Sequence, residues 1–263
     1  MDDVSPTAGA AFPGSTAAGS AARGPDGAFP GAARHNPRLA VAERVSRALR
    51  DRWGAGLQAV GVYGAVAHGD DTEVSDVEMV AVTRRAGTGP APGARRIDGV
   101  IVDLAVIGAE EYLRHARTLT TSWPLVADQY LTTKALHDPD AWLPKLRDTH
   151  LTRLAETDGQ VFAALAREAW CRATIAHGKA RRMAEWYETD AAVVVLAEAR
   201  VAVAVVEGLL TRTYFRNPAD AVRRTGVASA QVRDLGDRLA SQSQELTRRG
   251  RPVDGDIEDL LGR

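Results

Sequence analysis

The sequence is poor in cysteine, in aromatic residues and in net charge. A single cysteine, Cys171, rules out an intrachain disulfide, which accords with a reducing compartment. A lone thiol of this kind is expected to be buried and inert. The formal net charge is -1, from 33 basic and 34 acidic residues. No broad field therefore draws in nucleic acid or an anionic membrane. No apolar run reaches the roughly 18 residues of a membrane span; the stretch from 191 to 210 is interrupted by Glu198, Arg200 and Glu207. The first residues lack the basic start and apolar block of a secretory leader. The expectation is a cytoplasmic protein with neither a nucleic-acid nor a membrane partner.

What is present supports a sizeable core. The chain has 263 residues, 45% hydrophobic and 25% charged, enough for one or two domains. Residues 1–36 are mostly Gly, Ala, Pro and Ser. Such a segment buries too little apolar surface to offset its ordering entropy, so a disordered tail is expected there. Beyond it, Ala42, Val45, Leu49 and Trp53 recur at helical spacing, with Pro37 at the start and Gly54 at the end. Leu57 to Tyr63 reads as a buried strand, Gly64 to Asp71 as a turn region, and Val74 to Thr83 as an alternating strand. Thr88 to Gly93 reads as a hairpin loop and Gly99 to Ile107 as a third strand. Helices are expected over 109–117, 123–131, 140–155, 157–186, 188–214, 217–224 and 229–248. The pattern divides the chain into a tail (1–36), an α/β part (37–138) and an all-helical part (139–263).

The chemistry concentrates in "GVYGAVAHGDDTEVSDVEM", residues 61–79. Asp76 and Glu78 are one strand position apart and face the same side. If neighbouring strands pair, Asp103 joins them from within "GVIVDLAVI". Three carboxylates held together repel and stay ionised only around a cation. Hard oxygen ligands favour Mg²⁺, which commonly also takes phosphate oxygens. The Gly64–Ala65 turn is placed to offer backbone N–H groups to a phosphate. The parts together describe a metal-held nucleoside triphosphate set for in-line attack. A solvated acid pair on an exposed edge strand is the plainer alternative.

This stretch resembles the nucleotidyltransferase signature of the DNA polymerase β superfamily, in which Gly-Ser is followed by about ten residues and then Asp-x-Asp/Glu. More closely, the chain from about Glu43 onward is similar to the kanamycin nucleotidyltransferases, the aminoglycoside 4'-O-nucleotidyltransferases. The likeness includes "AVGVYGA", "SDVEM", Asp103, "SWPL" at 122–125, Gln129, "HGK" at 177–179 and "VEGLLTR" at 206–212. It implies an α+β fold, a polymerase β-like domain with a mixed sheet and helices followed by an up-and-down helical bundle. It implies transfer of AMP from ATP to a hydroxyl of an aminoglycoside antibiotic, with Mg²⁺ and release of pyrophosphate. It also implies a homodimer with active sites shared between subunits. By position, Asp76, Glu78 and Asp103 would hold metal. Gly64, Ala65, His68 and Ser75 would lie along the phosphates. Lys179 would reach them from the helical part.

Three departures surround the reaction centre. Ala65 stands where the family has Ser, so a hydroxyl is lost while the backbone N–H remains; the missing bond is worth roughly 1.5–3 kcal/mol. His68 replaces an Arg, a titratable group for a fixed charge. Ile175 occupies the position, four residues before Lys179, of a proposed glutamate base. Glu168 lies a further seven residues back, roughly 10 Å along the helix, too far to substitute. Asp103 is the better base. Two other functions follow from the departures: transfer to another hydroxylated metabolite, as in antibiotic biosynthesis, or a catalytically impaired homologue that only binds ligand.

Overall fold

The computed structural model describes residues 36–186 and 188–261. Apart from Asn36, the N-terminal tail expected from composition lies outside the described residues. Helix α1 (Pro37–Trp53) starts where Asn36 turns its side-chain oxygen onto the N–H groups of Arg38 and Leu39, at 2.9 and 3.1 Å. A single 3-10 turn then leads into β1 (Leu57–Tyr63), α2 (Gly64–His68), β2 (Val77–Thr83), β3 (Gly93–Ile97) and β4 (Val100–Gly108). Helices α3 (Ala109–Arg117) and α4 (Trp123–Thr132) precede the short strand β5 (Lys134–His137). The remainder is helical: α5 (Trp142–Glu156), α6 (Gly159–Glu185), α7 (Thr189–Thr211), α8 (Pro218–Arg224), α9 (Val232–Arg248) and α10 (Ile257–Leu260).

The five strands form one mixed sheet in the order β3-β4-β2-β1-β5. Strands β2 and β4 run parallel, while β1 pairs antiparallel with both β2 and β5. Three sequence expectations are corrected. The loop after β2 does not close a hairpin onto the third strand; it feeds β3, which pairs antiparallel with β4. The tight turn lies at Asp98-Gly99, both with positive φ (49° and 82°), a pairing that favours a two-residue hairpin. Strand β2 begins at Val77, so Asp76 sits just before it rather than within it. The acid pair is not on an edge, because β2 is the middle strand.

Alternation along β2 fills two cores. Val77, Met79 and Ala81 pack with Val41, Leu49 and Val62 on the α1 side. Val80 and Val82 pack with Tyr112, Leu113, Tyr130, Trp142 and Leu146 beneath α3, α4 and α5. A strand buried on both faces reads as a near-continuous apolar run, which is what makes the charges at its start conspicuous. The third core joins α6, α7 and α9 to the start of α4. Its α6–α7 seam is lined by small residues, among them Ala163, Ala166, Ala169, Ala173, Ala199 and Ala204, which allow two long helices to approach closely. Two stretches that carry the family likeness meet here. A side chain on Gly208 would stand 2.7 Å from Phe215 and 2.8 Å from Pro124, and Phe215 N–H donates to the Pro124 carbonyl at 2.7 Å. "SWPL" and "VEGLLTR" are therefore a packing joint.

A buried histidine ties α3, α4 and α5 together. The Nδ1–H of His150 donates to the Ala116 carbonyl at 2.7 Å, and its Nε2 accepts from the Trp123 indole at 3.2 Å. Making both bonds at once requires the neutral ring, because only an unprotonated Nε2 can accept. Burial lowers the pKa below the ordinary 6.5, opposed by the bond to Ala116. A depressed histidine contributes stability above its unfolded pKa and loses it as pH falls through the folded value. Denaturant unfolding should therefore show stability declining as pH drops below about 6.5. His150→Gln, whose amide can make both bonds without titrating, should lose that part of the slope; an unchanged slope would reject the assignment.

Candidate active site

Register brings the acids together. Tyr63 of β1 is opposite Glu78 of β2, and Glu78 is opposite Asp103 of β4. Directly paired residues share a face of the sheet, so Tyr63, Glu78 and Asp103 form a row across three strands. Asp76 precedes β2 by one residue and lies two before Glu78. The pairing that was conditional in the sequence is thus made, through a parallel ladder between β2 and β4.

The electrostatics follow from this crowding. Glu78 is pushed up to about 7, first by burial and then by Asp76, Asp103 and Asp128. The Tyr63 phenol is driven far up as well, by burial and then by Glu78, Asp103 and Asp76. It stays neutral beside the acids. Among the described residues no three acidic, His or Cys side chains already close around a metal-sized point. The donor set nevertheless fits a hard divalent cation. It is all carboxylate, it spans adjacent strands, and its central member resists ionisation first because it is buried and then because like charges surround it. Asp76, Glu78 and Asp103 are the residues that could hold such an ion.

The turn before α2 is shaped by Glu78. Gly64 has φ +65°, and a Cβ there would overlap the Glu78 carboxylate oxygen and stand 2.9 Å from its carboxyl carbon. Glycine is required both for the backbone and for the acid's place. Ala65 follows at the head of α2, where its carbonyl accepts from Gly69 and Asp70 at 2.9 and 3.2 Å.

The loop from α2 to β2 is fastened at several points. The buried Arg38 donates from Nε to the Ser75 carbonyl at 2.7 Å and from its second arm to the Glu73 carbonyl. Asn36 donates to Asp71 at 2.7 Å, and Arg216, from the loop after α7, pairs with Asp70. Ser75 Oγ accepts from the Thr72 N–H at 2.9 Å. So α1 sets the position of Ser75 and Asp76. Nothing in the sequence singled out Arg38.

His68 is turned toward α4. Its Nε2 lies 3.1 and 3.0 Å from the two oxygens of Asp128, an acid whose side chain is only 6% exposed. Asp128 was also missed in the sequence. The one signal was an acid inside the apolar helix stretch beside Gln129.

Lys179 is exposed on α6 and has no hydrogen bond or ion pair among the described residues. Among the described residues no hydrogen bond or ion pair joins it to the acids. Its motif neighbour His177 fastens α6 to the start of α9 through the Val232 carbonyl, at 2.8 Å. Ile175 is exposed. Glu168 is engaged by Arg172 at 2.5 Å, which adds to the distance argument against it as a base. Cys171 is exposed, not buried as expected from its type; it falls on the outer face of α6, where the helix turns its alanines inward. A cleft of about 740 Å³, lined by Arg117, Lys145, Asp148, Arg153 and Glu156 among others, involves none of the site residues above.

No family profile matches the chain. It is 25% identical over 130 residues to an aminoglycoside nucleotidyltransferase (4') of Staphylococcus aureus, covering 49% of this chain and 50% of that protein. It is 25% identical over 114 residues to a protein of the same name from a Bacillus species, covering 43% and 44%. The chain thus spans about half the length of the curated relatives it matches. A nucleotidyltransferase-like protein of Exiguobacterium sibiricum aligns over 84% of both chains with a TM-score of 0.42 and 11% identity. In sequence the chain is similar to nucleotidyltransferases over about half its length, and its own architecture is α+β.

Proposed function

We propose that the protein transfers a nucleotidyl group, AMP from ATP, to a hydroxyl of an aminoglycoside, with release of pyrophosphate. The observation that carries this reading is the in-register pair Glu78 and Asp103, flanked by Asp76 and pressed against the Gly64 turn. The names of the two curated relatives support the reaction class and the acceptor.

Asp76, Glu78 and Asp103 would hold Mg²⁺, which when bound offsets the phosphate charge. The backbone at Gly64 and Ala65, with Ser75 beside Asp76, would lie along the triphosphate. Asp103 takes the proton of the attacking hydroxyl. A bond forms from that oxygen to the α-phosphorus, the bond to the bridging oxygen breaks, and pyrophosphate leaves with its electron pair. In this scheme Lys179 meets the phosphates across a subunit interface in a homodimer, consistent with its exposure and its lack of hydrogen-bond or ion-pair partners among the described residues. The exposed Ile175, Trp186, Val193 and Val194 on α6, the turn after it and α7 give that helical pair an apolar surface for a second copy. Sedimentation equilibrium at micromolar concentration should find a dimer; a monomer would remove the shared-site element.

A second reading keeps the reaction and changes the acceptor to another hydroxylated metabolite. The exposed Ile175, where a base is expected, favours it. Purified protein with Mg²⁺ and ATP should release pyrophosphate on addition of kanamycin and yield an adenylylated product by mass spectrometry. Asp76→Asn should slow this at least about a hundredfold, the scale of losing a charge-stabilising group. An unchanged rate would refute the metal assignment. Silence with aminoglycosides but turnover with sugar or nucleoside acceptors would select the second reading. Binding without any turnover would mark an impaired homologue.

A further inference from the structure

Asp128 belongs to none of the roles above, yet it is one of the most buried acids in the molecule. Its carboxylate accepts from the Thr132 hydroxyl at 3.1 Å and meets His68 Nε2 with both oxygens. A carboxylate only accepts, so Nε2 carries the hydrogen. The bond spans from α4 to the last residue of α2, and α2 begins at Gly64. Asp128 is also close enough to Glu78 for its charge to act there.

We propose that Asp128 is a positioning residue of the nucleotide site, acting through His68. The short helix α2 offers little purchase of its own: five residues, with Val66 and Ala67 as its buried side chains. The link from Asp128 fixes its far end, and with it the angle at which the Gly64–Ala65 backbone faces the row of acids. The ring is thereby committed at Nε2, which leaves only Nδ1 for anything arriving at the turn. The inference rests on the functional reading above, since it assigns Asp128 to the nucleotide half of that site.

The test is binding of MgATP to the full-length protein by calorimetry, with thermal unfolding followed in parallel. Asp128→Ala should weaken binding about tenfold, the scale of losing a bond to a charged group. Asp128→Asn, whose amide oxygen still accepts from Nε2, should recover binding to within about threefold of wild type. His68→Ala combined with Asp128→Ala should bind no more weakly than His68→Ala alone, because both break one link. Asp128→Ser, polar but too short to reach the ring, serves if Asp128→Ala does not fold. Wild-type affinity in Asp128→Ala or Asp128→Ser, with only the melting temperature lowered, would overturn the proposal and leave the functional reading intact. Wild-type protein that binds no MgATP at all would overturn both.

Discussion

Glu78→Gln is expected to make the protein more stable above pH 7 while abolishing nucleotidyl transfer. In the folded chain Glu78 is raised to about 7 from an ordinary 4.5, first by burial and then by its acidic neighbours. A folded pKa above the unfolded one means that the folded state binds the proton more tightly. Stability therefore falls as pH rises from about 4.5, and the full cost is reached above about 7. The shift corresponds to a ceiling of roughly 3 kcal/mol at 1.36 kcal/mol per unit; partial solvent contact reduces this to about 1–2 kcal/mol. Urea unfolding without divalent cations should show the variant more stable by that amount at pH 8 and equal to wild type near pH 4. Magnesium should stabilise wild type, because ligand that binds only the folded state raises its stability, and should stabilise the variant less. Turnover should fall at least about a hundredfold. Equal stabilities at pH 8 would show that Glu78 is less buried, or its acidic neighbours further away, in solution than the packing implies.

Gly64→Ala should damage both fold and site, and its cost should depend on Glu78. The backbone there has φ +65°, which costs an alanine roughly 1–2 kcal/mol. The added methyl would also overlap the Glu78 carboxylate. That group sits at the end of a flexible side chain, so it would swing away, leaving the row with Asp103. The expected stability loss is about 1–3 kcal/mol, with a loss of Mg²⁺ binding larger than the stability change alone explains. Made in a Glu78→Ala background, the same substitution should cost only the backbone share. A double-mutant cycle on unfolding free energies separates the two. Equal costs in both backgrounds would mean that Glu78 moves freely, and that Gly64 serves the turn alone.

The two substitutions probe features of different legibility. Alternation along β2 was readable because a strand has a period of two, and it assigned Asp76 and Glu78 to one face. The glycine at 64 was visible as a turn residue, but not its contact with Glu78, which joins positions on separate elements. The parallel pairing of β2 with β4 was beyond local pattern: a loop and β3 intervene, and the Asp98-Gly99 turn belongs to the β3–β4 hairpin. The short β5 escaped notice because four residues, Lys134 to His137, carry too little periodicity to register. The long helices α6 and α7 were plain, since apolar recurrence over many turns outweighs any boundary error.

By itself, the sequence determined most of the helices, three of the five strands, and the presence of three acids and a glycine turn within reach of a common chemistry. These are consequences of local periodicity and residue type. The tertiary structure decided which of those residues meet. It set Glu78 against both Asp103 and Gly64, made β2 the middle strand rather than an edge, and closed Asp128 onto His68 across 60 residues. It also left Lys179 without a hydrogen bond or ion pair among the described residues. The physical reason is the same throughout. Charge interactions and hydrogen bonds fall off within a few ångströms, so their effect depends on distances that only the packing of separate elements fixes.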